Sequence, residues 1–335
     1  MAGQPILAGS AFSAGILAQA NGTYRRMYET VTNRLSGCMQ IDIPSTRRQE
    51  IFHYFESAPY LARWPIGTGM EAGSFKGVRY TALNHRWAKN IEWNFDDAQD
   101  DQTNSLLTQA RQIGTNAAML DERVFFQILL GGSDADLLPS VPNAPDGVAI
   151  YNDDARFGLA DGNTADGEVD SGNIIRSKYW SALSAFKRMQ DTQGQPLHDE
   201  TVIDGPKLLI YDATDELAFQ EAFIQNQVAG VAITNTQPTG STEIAGVSNV
   251  AQDANQVPTI WSTQRISDNS YYVFLENSLI KPVFSMLREP LREQIATFDN
   301  SDVARDKGIE SVRFWLRKGF GVNLPYSTFR FETPS

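Results

Sequence analysis

The side chains that most often carry out chemistry are few and scattered in this sequence. Its three histidines, His53, His85 and His198, stand far apart, and none shows the spacing of a metal-binding pair. The single cysteine, Cys38, has no nearby base that could activate its thiol and cannot form an intrachain disulfide. These residues predict no catalytic site, no metal site and a reducing, intracellular site of folding.

Two further motifs that would indicate ligand binding or catalysis are incomplete or absent. Glycines between Gly67 and Gly73 resemble a phosphate-binding loop, but the Gly-Lys-Ser/Thr ending and the strand–loop–helix context are missing. The sequence contains no Gly-x-Ser-x-Gly motif, which marks the nucleophile of many hydrolases. We therefore expect neither a nucleotide cofactor nor a nucleophilic enzyme.

An acidic loop at residues 161–170, DGNTADGEVD, is the best candidate for a calcium site. Asp161, Asn163 and Asp166 supply the oxygen ligands that calcium prefers. The order of an EF-hand nevertheless fails, because Ala165 takes the fifth place and an aspartate takes the sixth, where glycine is required. A solvated loop is the favoured interpretation, so the sequence predicts no cofactor of any kind.

Composition and charge limit the classes of protein to consider. The 335 residues, 41% of them hydrophobic and 10% aromatic, suffice for one large or two ordinary folded domains. A net charge of −12 argues against phosphate binding as the main function but leaves room for a locally basic surface. No run of about 18 apolar residues is present, so we expect no membrane span. Residues 1–22 lack a basic region, which favours a mobile arm over a signal peptide.

The longest helical pattern extends from Thr103 to Gly132. Apolar residues recur there in steps of three and four, which places them on one side of a helix. They are Leu106, Ala110, Ile113, Ala117, Leu120, Val124 and Ile128. The pattern predicts a rod roughly 40 Å long. Gly114 inside it predicts either a kink or a division into two shorter helices.

A hairpin-like extension with a glycine-rich tip is predicted before this rod, at residues 58–98. Its later part alternates apolar and polar residues, as a half-buried strand does. Aromatic residues crowd the extension, namely Trp64, Tyr80, Trp87 and Trp93. Aromatics on a projecting hairpin are a liability for a lone domain, whereas at a subunit contact they are preferred anchors. The alternative is that they pack beneath the core of their own chain.

The remaining segments predict an arm followed by a mixture of helices and strands. The first ~55 residues read as an extended arm with one helix at 23–35, which packs on something else, such as a neighbouring subunit. Residues 133–172 read as a long surface excursion. The other expected elements are a helix at 173–190, a compact α+β unit at 206–278, and strands at 280–287, 291–298 and 309–322.

This order of elements resembles the Hong Kong 97 fold of tailed-phage major capsid proteins, and in particular the major head subunits of the phage Mu type. The resemblance covers roughly residues 50–325 and is weakest in the middle. It rests on four stretches: FESAPYLARWPIG, IEWNFDD, VFFQILLGG, and IKPVFSMLREP with the later RDKGIESVRFWLRKGFG. No long charged N-terminal coiled segment is present, so a fused scaffolding domain is not expected.

The resemblance implies an α+β Hong Kong 97-type fold with an N-arm, an extended loop, a spine helix with a peripheral sheet, and an axial domain. It divides the chain into the N-terminal arm (1–57), the extended loop (58–98), the peripheral domain with the spine helix (99–205), the axial domain (206–279), the returning peripheral strands (280–320) and a C-terminal return to the axial domain (321–335).

The same resemblance implies a structural subunit that forms the hexamers and pentamers of a virion shell around double-stranded DNA, without sequence-specific binding. Assembly would take place in the bacterial host cytoplasm, with decoration, portal and scaffolding proteins as further partners. The expected subunit contacts are Arg63, Trp64, Arg79, Arg86, Trp87 and Trp93. Basic residues on the late strands would meet acidic neighbours or the DNA; they are Arg288, Arg292, Arg313, Arg317 and Lys318. Lys76 is a candidate for covalent cross-linking, but no partner is identified and we expect no cross-link.

Two alternatives remain open at this point. An encapsulin-like compartment would use the same fold to enclose a protein cargo. A hydrolase built on the acidic loop at residues 153–170 would lose activity on substitution of Asp161 or Asp166 while keeping its oligomeric state.

Overall fold

A computed structural model describes residues 9–57, 76–94, 105–132, 134, 136–160, 162–169, 171–191, 194–223, 227–228, 247–248, 257–266, 269–296, 301, 306 and 308–332. The α-helices are α1 (Gly9–Leu35), α2 (Ser105–Ala118), α3 (Leu120–Leu130), α4 (Gly172–Arg188), α5 (Glu200–Ile203) and α6 (Glu216–Phe223). The strands are β1 (Met39–Pro44), β2 (Gln49–Ser57), β3 (Lys76–Asn94), β4 (Thr164–Asp166), β5 (Lys207–Asp212), β6 (Gln227–Val228), β7 (Val247–Ser248), β8 (Thr259–Thr263), β9 (Tyr271–Leu275), β10 (Val283–Ala296), β11 (Ile309–Val322) and β12 (Thr328–Glu332).

The N-terminal helix is longer than the sequence predicts. A helix was expected only at residues 23–35, after a mobile arm, but α1 already begins at Gly9. Ile16 and Ala20 are fully buried in a cluster with Leu106 and Ala110 of α2. The expectation that the arm finds its burial only on another subunit is therefore wrong for this helix, which packs on its own chain.

The predicted rod is confirmed as two helices in sequence, α2 and α3. The interruption lies at Met119 rather than at Gly114, and hydrogen bonds cross it from Met119 N to Thr115 O (2.9 Å) and from Arg123 N to Met119 O (3.0 Å). Gly114 has a different function. A Cβ atom at this position would lie 2.4 Å from the carbonyl oxygen of Ala20, so glycine is required where α1 crosses α2. Gly131 ends α3 in the left-handed conformation, with a φ of 66°.

The first sheet has the strand order β1-β10-β11-β3-β2. The predicted hairpin is present as β2 and β3, paired antiparallel up to Ser57 and Lys76, so it starts earlier than the expected residue 58. The two strands expected at 280–287 and 291–298 form one strand, β10. Its register with β11 shifts on either side of Glu289, next to Pro290, because proline cannot donate a ladder hydrogen bond.

The second sheet has the strand order β4-β12-β9-β5-β8. Helices α4 and α6 pack on it in a cluster that includes Ile175, Tyr179, Phe219 and Phe331. The sequence-based division grouped the α4 segment with the long helix, whereas its apolar side chains lie in the core of this second sheet. A two-stranded pair, β6 with β7, accompanies the two larger sheets.

The largest core cluster joins the two sheets through α3. Val124, Phe125 and Ile128 pack between Phe320 and Val322 of β11 on one side and residues of β5 and β9 on the other. The face of the first sheet that carries Val312 and Phe314 is covered by α1 and α2. Helix α3 is thus the element through which the two sheets are held in one body.

Candidate functional site

The residues that could act as nucleophiles or bases are either exposed singly or engaged within the fold. His53 and His85 are exposed on β2 and β3, and His198 lies with Nε2 2.8 Å from the carbonyl oxygen of Tyr326. Burial raises the pKa of the Cys38 thiol, which favours the unreactive neutral form. Among the described residues, no group of histidine, cysteine and acidic side chains is arranged to hold a metal ion.

The acidic loop proposed for calcium uses its central residue to fix the backbone. Asn163 is fully buried; its Nδ2 donates to Ile150 O (2.9 Å) and its Oδ1 accepts from Asn152 N (3.2 Å). Asp166 is exposed on β4, and Asp161 lies outside the described residues. Asn163 therefore functions as a structural brace. The expectation of a solvated loop is wrong for this part of the segment, because Asn163 and Thr164 are buried and Thr164–Asp166 forms strand β4, paired with β12.

A buried ion network joins α1, β1, α3 and β11. The Nζ of Lys318 lies 2.5 Å from Asp121 Oδ2, 2.7 Å from Asp42 Oδ1 and 3.0 Å from the hydroxyl of Tyr28. The Tyr28 hydroxyl in turn donates to Asp42 Oδ2. Asp121 Oδ2 and the Tyr28 hydroxyl accept hydrogen bonds from the Lys318 ammonium, and Asp42 adds an ion pair, so the buried charge is compensated.

The geometry of Asp42 explains how β1 reaches this network. The register of β1 with β10 shifts between Gln40 and Ile43, so β1 contains a bulge at this point. Asp42 itself has a φ of 58°, in the left-handed region that aspartate tolerates better than most residues. Its backbone N–H donates to Ser285 Oγ (3.1 Å). The bulge turns the carboxylate towards Lys318, which is a common function of bulges.

Burial dominates the protonation behaviour of the network. It raises the pKa of the Asp121 carboxyl, while the neighbouring Lys318 ammonium acts in the opposite direction. Burial, reinforced by the charge of Asp121, also raises the pKa of Tyr28, so its hydroxyl stays a donor. Two carboxylates share one ammonium here, and the excess negative charge is a reason why the site needs the tyrosine.

The next residue along α3, Glu122, makes a second set of ion pairs. Its Oε1 accepts from Arg265 Nε at 2.7 Å, in the turn after β8, and its Oε2 lies 3.5 Å from Arg34 of α1. The Arg34 guanidinium also lies 5.4 Å from the ring centre of Trp261. Two consecutive acids in the first turn of α3 thus bind the first sheet and the second sheet, respectively.

The sequence pattern did not single out this pair of acids. Asp121 and Glu122 stand in a first helical turn, where acidic residues are favoured by the helix dipole and are usually solvated. The available signal was that an Asp-Glu pair interrupts the apolar stripe of a long helix. Their cationic partners, Lys318 and Arg265, lie 197 and 143 positions away in sequence.

The predicted subunit-contact residues fall into three groups. Arg79 and Arg86 are exposed on β3. Trp93 is 5% exposed and donates from Nε1 to Glu310 (3.2 Å), and Trp87 is half-buried and donates to Lys318 O (3.1 Å). For these two tryptophans the structure favours the alternative to a subunit contact, namely packing within their own chain. The third group, Arg63 and Trp64, lies outside the described residues.

The basic residues of the late strands also differ in their surroundings. Lys318 is buried in the ion network and is not available to DNA, which corrects that part of the expectation. Arg317 lies 3.3 Å from Glu289, and Arg288 is half-buried. Arg292 and Arg313 are exposed.

These exposed arginines define one surface, which we name the open face: the side of the first sheet turned away from α1 and α2. Directly opposed residues in an antiparallel pair point to the same side. Trp315 is opposed by Arg292 on β10 and Ala88 on β3, and Arg317 is opposed by Arg86. The guanidinium of Arg86 lies 5.4 Å from the ring centre of Trp315. At one end the base of the hairpin covers this face, where Phe52 contacts Phe284.

No helix in the described part of the chain combines the length and the apolar character needed to cross a bilayer. The model of a family described as phage capsid protein matches residues 80–330 of this chain. Comparison with curated proteins gives no match.

Solved structures give a consistent set of neighbours. The capsid of a native GTA particle matches with a TM-score of 0.56 and 10% identity, over 91% of both chains. The capsid of Cyanophage P-SCSP1u matches with a TM-score of 0.55 and 10% identity, over 89% of this chain and 86% of that one. The mature capsid of bacteriophage PhiM1 matches with a TM-score of 0.54 and 12% identity, over the same shares. At these identities the likeness concerns the fold.

Proposed function

Because the chain belongs to the phage capsid protein family, we propose that it is the major head subunit of a tailed bacteriophage. In this function it assembles into the hexamers and pentamers of an icosahedral shell around double-stranded DNA. The observation that carries the proposal is the extent of the family match, which runs from β3 to β12 and so includes most of both sheets.

The predicted α+β class and Hong Kong 97 fold type are confirmed by the architecture and its structural neighbours. The protein is a capsid protein, its role is structural, and its location is the virion. The closer resemblance to phage Mu head subunits stays a prediction. So does the division of the chain into arm, extended loop, peripheral domain, axial domain and returning segments.

The proposed mechanism is contact geometry without catalysis. β3 is 19 residues long, about 60 Å of extended chain. Its part from Asn84 to Asn94 pairs with β11, and its part from Lys76 to Leu83 pairs with β2. Arg63 and Trp64, with Arg79 and Arg86 on β3, are the proposed contacts to adjacent subunits. Each contact can be weak, because a closed shell repeats it many times and the contributions add.

The finer parts of the proposal concern partners and place. Decoration, portal and scaffolding proteins are proposed partners, and assembly is proposed to occur in the bacterial host cytoplasm. DNA is enclosed without sequence-specific contacts, in keeping with the net charge of −12. No covalent cross-link through Lys76 is proposed; particles boiled in denaturant should give a single monomer band, and a ladder of bands would contradict this.

The test is to express the chain and image the product by negative-stain electron microscopy, then to identify the contents of particles purified from infected or producing cells. Closed shells of uniform diameter that hold double-stranded DNA are expected. Shells filled with a protein cargo would favour the encapsulin-like alternative instead. A monodisperse monomer at high concentration would contradict both.

A further inference from the structure

We propose that the open face of the first sheet binds the acidic segment, residues 133–172, of a neighbouring copy of the same chain. The inference rests on the proposed shell function and specifies one of its contacts. The observations behind it are a concentration of arginine side chains on the open face and of carboxylates on the acidic segment.

The open face concentrates positive charge at a cost to the isolated sheet. Arg317 and Arg86 are directly opposed across β11 and β3, an arrangement in which like charges repel. The fold offsets this only in part: Arg317 is paired with Glu289 at 3.3 Å, and Arg86 lies over the ring of Trp315. A sheet that needed only to be stable would not place two arginines opposite each other.

Two further arginines on this face have no acidic partner in the part of the chain that the structure describes. Arg292 and Arg313 are exposed, and within the described residues neither forms an ion pair. The half-buried Trp315 lies directly opposite Arg292, and Ile309, 38% exposed, lies further along the same side of β11. Arginine and tryptophan around a small apolar centre are the residue types enriched at the centres of protein interfaces.

The acidic segment supplies the complementary charge. It contains nine acidic residues and one arginine, a net charge of −8 out of −12 for the whole chain. Its conformation is fixed from within. The single arginine, Arg156, is 8% exposed and binds Asp146 (Nε–Oδ2, 2.8 Å) and two backbone carbonyls, and Asn163 braces the following turn. Asp153 and Asp154 remain exposed on this framework.

The two surfaces do not neutralise each other within one subunit, since no ion pair links them in the described part of the chain. Two different complementary patches on one chain generate a head-to-tail contact, the type that builds rings. DNA is the competing occupant for an arginine-rich surface. The observations favour a second copy, because the aromatic centre suits a protein partner and the chain brings a large acidic surface with every subunit.

The experiment compares charge reversals in the full-length chain. The face variant is R292E/R313E, and the segment variant is D153K/D154K. The control is R123E/K187E, two exposed basic residues on α3 and α4, which changes net charge as much as the face variant does. Folding is checked by circular dichroism, and shell formation is measured by sedimentation and negative stain over a range of protein concentrations. The neutral pair R292Q/R313Q replaces R292E/R313E if the reversal unfolds the chain.

The face and segment variants should each raise the protein concentration needed for shells at least about tenfold, because reversal places like charges in contact. The control should assemble like the wild type, and the chain carrying both reversals should recover shell formation. Shells from the face variant at the wild-type concentration would overturn the proposal. So would a failure of the combined variant, or shells that form normally and hold less nuclease-resistant DNA. A wild-type chain that forms no shells would contradict the proposed function instead.

Discussion

Lys318 and Asp121 form a buried ion pair in which Nζ lies 2.5 Å from Oδ2 and the two side chains are 4% and 2% exposed. The pair connects β11 to α3, and Asp42 and Tyr28 extend it to β1 and α1. A charge pair this deep is not by itself a source of stability, since both charges lose their hydration. Removing only one of the two charges, however, should lower the stability of the subunit.

Lys318→Met should lower the free energy of unfolding by about 3–5 kcal/mol, because the buried Asp121 carboxylate and the half-buried Asp42 carboxylate would lose their shared cation. Urea denaturation of the unassembled subunit measures the loss. Lys318→Met combined with Asp121→Leu should recover part of it. As a control, Arg123→Met replaces an exposed residue on α3, the helix that carries Asp121, and should change the free energy of unfolding by less than about 0.5 kcal/mol. Equal stabilities for Lys318→Met and the wild type would contradict the assigned network.

Gly114→Ala and Gly22→Ala should have opposite effects although both add a methyl group inside a helix. At Gly114 the new Cβ would meet the Ala20 carbonyl at 2.4 Å, forcing α1 and α2 apart at a cost of about 1–3 kcal/mol. Nothing lies within 4 Å of a Cβ at Gly22, so helix propensity should stabilise that variant by about 0.5–1 kcal/mol. Thermal unfolding distinguishes the two; a Gly114→Ala variant more stable than the wild type would refute the close helix crossing.

His198 should make the second sheet sensitive to mild acid. Burial lowers the pKa of this histidine in the folded state, so below pH ~6.5 the unfolded chain takes up the proton more readily. Stability is therefore lost as the pH falls from about 7 towards the lower folded pKa. In His198→Gln this part of the pH dependence should disappear, as measured by denaturation at a series of pH values. Parallel stability profiles for the two proteins would show that the ring is solvated.

Trp93→Ala and Trp64→Ala should separate folding from assembly. Trp93 is 5% exposed in the cluster with Phe314 and Val312, and its truncation should cost about 3–5 kcal/mol in the unassembled subunit. Trp64→Ala, at the proposed contact, should leave the circular dichroism spectrum unchanged and prevent shell formation. A Trp93→Ala subunit of full stability would place that ring at a subunit contact after all.

Local patterning was sufficient to predict the elements whose burial is one-sided. Val312, Phe314 and Leu316 alternate with polar or half-exposed residues, and the predicted strand has the observed bounds of β11. The first half of the long helix, α2, was predicted for the same reason, since its apolar period and its one-sided burial agree. The predicted order of the elements then carried the resemblance to the Hong Kong 97 fold.

The features that could not be predicted depend on residues far apart in sequence. The first half of α1 is rich in alanine, glycine and serine, a weak pattern, and becomes helical because α2 covers it. β10 continues through Pro290 because its partner β11 runs past the irregularity unbroken. The network around Asp121 could not be predicted, because its cation, Lys318, lies 197 positions away in sequence. Tertiary contact decided each of these outcomes over local propensity.

The strand order of the first sheet also determines when that sheet can be completed during synthesis of the chain. β3 ends at Asn94, but its neighbour β11 begins only at Ile309. Because ribosomes add about 5–20 residues per second, β3 stays without that neighbour for on the order of 10–40 s. A polypeptide interrupted before Ile309 therefore lacks β11, the middle strand of its first sheet.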